Sequence, residues 1–157
     1  MGKTTLVNFI KFLENKDLMR FEMIRDGDAQ FSNRFRIQKY VLLAQRLGLK
    51  LPYEYDIYLY GPYSTQLTDD CRDLARSRTD YKHADGRLDG SFDEDRFLRA
   101  TRGKTRAWLE IASTLIDIKP HCTDRKQLLK QVGRIKDEPE SGYISKVLCE
   151  LEELGLI

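Results

Sequence analysis

Little in this chain can carry out a reaction. Its 157 residues hold two histidines, three cysteines, four prolines and one tryptophan. None of Cys71, Cys122 and Cys149 sits in a Cys-x-x-Cys pair, and an odd count fits no disulfide framework. Single, scattered His and Cys give no metal-ligand spacing, so neither metal nor cofactor is expected. Cys71 and Cys149 fall beside apolar residues on expected helix faces and are read as small buried hydrophobes. There is no Gly-x-Ser-x-Gly elbow. His83 lies in a polar stretch, and His121 and Cys122 are chain neighbours with no third group to orient them. No catalytic residue is assigned, and the expectation is a protein that is not an enzyme.

Other absences narrow the class further. No apolar run approaches the roughly 20 residues of a membrane-spanning helix, so no membrane partner is expected. The opening Met-Gly-Lys-Thr-Thr-Leu-Val has no signal-peptide character, and the expected compartment is the cytoplasm. Gly2-Lys3-Thr4-Thr5 echoes the end of a phosphate-binding loop, but no strand or upstream glycine accompanies it. These residues are expected to lead a helix, with Thr4 or Thr5 capping. The 27 Lys and Arg nearly balance the 25 Asp and Glu, a net charge of +2, which exerts no global pull on nucleic acid.

What the chain does have is aromatic mass, eight Tyr and seven Phe, which excludes disorder and supports a core. Leu6, Phe9, Ile10 and Leu13 follow helical spacing, predicting a first helix over about 4–14. Ser32 or Asn33 is expected to cap a second helix that buries Ile37, Tyr40, Val41, Ala44 and Leu47 and stops at Gly48. Tyr53 to Tyr60 alternate with a period of two, predicting a strand ended by Gly61-Pro62. Ser64 caps a third helix to about Arg76, with Leu67, Cys71 and Leu74 inward. Residues 77–91 read as a loop with a short hairpin around Asp85-Gly86. Asp93 to Asp95 suit a helix start, and Gly103 divides that helix from one carrying Trp108, Ile111, Ala112, Leu115 and Ile118. Thr123 is expected to cap a short helix with Leu128, Leu129 and Val132. A turn at 137–142 leads to a last helix over about 143–154 with Ile144, Val147, Leu148 and Leu151 inward. The expected fold is mainly α: a single-domain helical bundle over 1–157 with a short β-strand or hairpin element. Residues 1–31 form an N-terminal helix and loop, and 121–157 a C-terminal helix-turn-helix-like pair.

Three segments compete as binding surfaces. In the second helix Arg36, Lys39, Arg46 and Lys50 share spacings that place them on one face, and no acid occurs between Phe31 and Tyr53. Such a stripe could contact phosphates, and a solvated face is the plainer reading. The C-terminal pair has the order of a winged-helix unit, but Glu150, Glu152 and Glu153 would repel phosphate, and completion of the core is the plainer account. Tyr58-Leu-Tyr-Gly-Pro-Tyr-Ser64 is the most specific segment. Backbone geometry alone explains Gly61, Pro62 and Ser64. Tyr58, Tyr60 and Tyr63 clustered at one turn are a composition favoured at protein interfaces, with packing on neighbouring helices as the alternative.

Arg36-Ile-Gln-Lys-Tyr-Val-Leu-Leu-Ala-Gln45, then an aromatic strand, then Tyr60-Gly-Pro-Tyr-Ser64 and a helix, resembles the YwgA-like group of prokaryotic proteins. More remotely it is similar to the Panacea (SocA-like) antitoxin domain. Leu109 to Leu115 and Ile118-Lys-Pro120 also look like the YwgA-like pattern, so the resemblance covers about 34–120. The YwgA-like group carries no established activity; the remoter Panacea resemblance implies a non-enzymatic antitoxin-like module or regulatory adaptor that contacts a protein partner such as a toxin. It transfers no contact residue. The expected partner-binding set is therefore Tyr58, Tyr60, Gly61, Pro62, Tyr63 and Ser64. The alternative is a winged-helix-like DNA-binding transcriptional regulator, with nucleic acid as the second-choice partner.

Overall fold

The computed structural model describes residues 2–20, 31–76, 79–136 and 141–157. Among them are eight α-helices and one two-stranded hairpin, so the fold is mainly helical with a small β element. The order is α1 (Gly2–Asn15), α2 (Phe31–Arg46), β1 (Asp56–Tyr58), β2 (Gly61–Tyr63), α3 (Thr65–Arg76), α4 (Thr79–His83), α5 (Glu94–Thr101), α6 (Arg106–Ile118), α7 (Arg125–Lys136) and α8 (Ser141–Glu153). A 3-10 turn, Lys119–His121, extends α6.

α6 is the axis of the fold. Residues Trp108 to Ile116, apart from Glu110, are buried, and the helix packs against α2, β2, α7 and α8. Thr105 starts it by accepting from the Trp108 N–H at 3.1 Å. α8 turns Ile144, Val147, Leu148 and Leu151 inward. At the other side, Phe9 and Phe12 of α1 meet Phe92 and Phe97, with ring centroids 5.5–6.1 Å apart. These clusters are continuous, and one core runs from Leu6 to Leu156.

α2 is buried nearly all round. Its expected face (Ile37, Tyr40, Val41, Ala44, with Leu47 beyond) is joined inside by Phe35, Leu42 and Leu43. The helix stops where Gly48 takes φ +102°, and a Cβ there would sit 2.1 Å from the Ser91 carbonyl oxygen. The Asp93 N–H donates to the Leu47 carbonyl at 3.0 Å, fastening the loop before α5 to this helix end.

Several expected details change. The strand is shorter than the alternation implied. Gly61-Pro62 does not end the β element but opens its second strand, with Asp56 opposite Tyr63 and Tyr58 opposite Gly61. Residues 53–55 instead carry no regular secondary structure and are held by Gln45 of α2 and Asp70 of α3. No strand forms around Asp85-Gly86, and α4 occupies part of the expected loop. α7 is capped by Asp124, which accepts from the Gln127 N–H at 2.7 Å, rather than by Thr123. Cys149 is exposed, not buried, and the Arg125 guanidinium lies 3.2 Å from its sulfur. Ser32 and Asn33 fall inside α2 rather than before it. Residues 137–140 of the expected turn lie outside the described residues.

Candidate functional site

The hairpin is fastened to the body from its inner side by polar groups of α2. Gln38 has 2% of its surface exposed and is used at both ends of its amide. Its Oε1 accepts from the Ser64 N–H at 2.8 Å. Its Nε2 donates to the Ser64 carbonyl at 3.0 Å and to Thr68 Oγ1 at 2.9 Å. Lys39 donates through Nζ to the Pro62 carbonyl at 2.6 Å. Two turns beyond Gln38, Gln45 donates to the Leu51 and Tyr53 carbonyls and accepts from the Tyr55 hydroxyl. Tyr53 Oη donates to Asp70 at 2.7 Å. Buried polar groups must find partners. Here the backbone carbonyls and N–H groups of residues 51–64 supply them, and the segment is locked in place as a result.

Gly61 completes the lock. It takes φ +91°, a region that L side chains rarely adopt. A Cβ there would meet Thr114 Oγ1 at 3.0 Å and Lys39 Nζ at 3.3 Å. Ser64 then starts α3, its Oγ accepting from the Leu67 N–H at 3.3 Å.

Lys39 is the most perturbed cation described. Burial first, and the nearby Lys136 second, lower its pKa from 10.5 to about 8. Glu110 and Asp117 pull the other way. Lys136 is itself buried and paired with Glu110 at 3.2 Å. The Lys39 ammonium also lies 4.9 Å from the Phe35 ring centroid.

Beyond this anchor the hairpin tip faces outward. Tyr58 is 51% exposed, Leu59 81% and Tyr60 42%. Tyr58 meets Tyr63 edge-on, and Tyr60 meets Phe35 edge-on. The Arg106 guanidinium lies over both Phe35 and Tyr60. Beside the tip, α2, the hairpin and α3 enclose a groove of about 410 Å³. That is within the range of ordinary ligand sites.

The expected partner-binding residues therefore divide. Tyr58 and Tyr60 lie outside and Tyr63 is half-buried at the groove, whereas Gly61, Pro62 and Ser64 are buried and hold the turn. The expected basic stripe does not form one solvent-facing row. Lys39 points into the interior, Arg36 donates to the Tyr40 hydroxyl, and Arg46 donates to the Leu156 carbonyl; Lys50 is exposed. The helical spacing was compatible with one face, but α2 is covered on nearly all sides and its cations are spent on different neighbours.

Gln38 and Gln45 were not singled out in the sequence. Their signal was two amides spaced two turns apart on a helix whose apolar residues outnumber what one face needs. His121 is exposed and Cys122 half-buried on the 3-10 turn, and His83 is exposed at the end of α4. Among the described residues no group of three His, Cys, Asp or Glu could hold a metal ion, and no helix is long and apolar enough to cross a membrane.

Comparison with protein-family models, with curated proteins and with solved structures yields no match to this chain.

Proposed function

We propose that this chain is a non-enzymatic protein-binding module, antitoxin-like or a regulatory adaptor, that docks its partner on the hairpin tip and the adjoining groove. One observation carries the reading. Three consecutive large side chains, Tyr58, Leu59 and Tyr60, stand exposed on a turn whose base is fixed by Gln38, Lys39 and Gly61. Exposed apolar groups cost solvation, and a turn held this firmly does not relax to hide them. Rigid aromatic groups also lose little entropy when a partner covers them. The expected resemblance to the Panacea antitoxin domain, remoter than that to the YwgA-like group, points to the same reading.

The test is capture of tagged protein from its native cell in the presence of nuclease, run beside Leu59→Ser. A stoichiometric protein that is retained by the parent chain and lost from the variant is the expected result. Recovery of DNA alone when nuclease is omitted would replace this reading with the DNA-binding regulator.

A further inference from the structure

The groove lining is chemically one-sided. Among the described residues that form it are Arg34 from α2, Arg72 from α3 and the Lys39 amine at its floor, and no carboxylate. Its apolar part comes from Phe35, Tyr58 and Tyr60. Tyr63 adds a polar hydroxyl, which shares a hydrogen bond with Thr68 Oγ1; the single Thr68 proton also has the Ser64 carbonyl within 3.3 Å.

From this juxtaposition we infer that the groove takes an acidic peptide segment of the partner, one carboxylate side chain beside Arg34 and Arg72 and a large apolar neighbour against Phe35 and Tyr60. The inference rests on the protein-binding reading and gives the partner its chemistry. Guanidinium groups bind carboxylates through matched donor pairs. The volume holds a large side chain and its neighbour, as a short segment supplies.

A nucleic acid strand is the poorer occupant, although aromatic groups beside cations can stack bases. Phosphate tracking needs a run of cations. Here Asp69 lies 3.8 Å from Arg72, and Asp56 and Asp73 are exposed on β1 and α3. A continuous polyanion would meet all three acids, whereas a single carboxylate meets only Asp69, with which it shares Arg72.

The experiment is a ¹⁵N–¹H NMR titration of the full chain with four probes. They are the peptides acetyl-GSDLFDGS-amide, its Asp-to-Lys counterpart and its Leu-Phe-to-Ala-Ala counterpart, and a decameric oligothymidylate. The acidic apolar peptide should saturate shifts in Tyr58 to Tyr63, Arg34 and Arg72, with the other peptides binding about ten-fold more weakly or less. In the folded double variant Arg34→Glu, Arg72→Glu the preference should reverse toward the Lys peptide. Equal binding of Asp and Lys peptides, no saturation by any peptide, or tighter binding of the oligonucleotide would overturn the inference. Capture of the same cellular partner by the double variant would overturn the acidic chemistry alone and leave the docking surface standing. Loss of the partner from Arg34→Glu, Arg72→Glu but not from Leu59→Ser would overturn the tip as the docking surface.

Discussion

The hairpin region and the C-terminal helix pair solve the same problem in opposite ways. Both place charged and aromatic residues near the surface. In α7 and α8 part of the charge closes on neighbours: Arg125 pairs with Glu152 at 3.2 Å, Glu150 with Lys104 at 3.1 Å, and Lys136 with Glu110, while Lys126, Lys130, Arg134, Lys146 and Glu153 are exposed. The apolar faces of both helices are buried against α6. In the hairpin the polar groups are spent inward, on the backbone of residues 51–64, and the large side chains of the tip are left to solvent. A helix pair whose apolar stripes are buried presents a partner mainly with separate charged side chains. A tip with fixed backbone and uncovered aromatics has much to offer.

The sharpest way to break this contrast is to free the anchor. Gly61→Val puts a β-branched residue at φ +91° and drives its side chain against Thr114 and Lys39. The left-handed penalty and overpacking together should cost about 3 kcal/mol of stability in denaturant unfolding. An unchanged midpoint would show that the turn is not locked. Gln38→Ala leaves the buried Ser64 N–H without its acceptor and should cost about 2 kcal/mol, read the same way.

The pH response sharpens the role of Lys39. Its folded pKa of about 8 lies below the unfolded 10.5, so the unfolded chain binds the extra proton between these values. This group's contribution to stability therefore rises with pH across that window. Burial pushes the Cys71 thiol up to about 12, and Tyr53 and Tyr55 are also raised. Their unfolded forms ionise first, so they lower stability above about pH 9 and about pH 10 respectively. Subtracting the unfolding free energy of Lys39→Met from that of the parent chain at each pH isolates the lysine. The difference should shift in favour of the parent chain as pH climbs from 8 to 10.5. A flat difference would mean that the amine is solvated. The smallest effect is expected in the helix pair. Glu152→Ala removes a half-exposed ion pair and should cost less than about 1 kcal/mol, with no change in partner capture.

Much of this was legible in the sequence because period and caps are local signals. The stripes of α1, α3, α6 and α8, the acidic start of α5 at Asp93 to Asp95 and the stop at Gly48 all follow from spacing, charge and backbone freedom. The second strand was not legible, since Gly-Pro reads as a terminator and its pairing depends on helices distant in sequence. The fate of Lys39 was equally hidden. Helical spacing places it beside Arg36 and Arg46, and only the arrival of Pro62 over that face turns it inward. The tyrosines were legible as a cluster, but which of them are covered is decided by Phe35, Thr68 and Arg106 on three other elements.

The central claim, that the hairpin tip is the docking surface, is tested most directly by site-specific photo-crosslinking in the native cell. A benzophenone amino acid is placed at position 59 in one strain and at position 143, an exposed tyrosine of α8, in another. The account predicts one discrete protein adduct from position 59, resistant to nuclease, and none from position 143. An adduct from position 143 alone, or a nuclease-sensitive adduct from position 59, would contradict it.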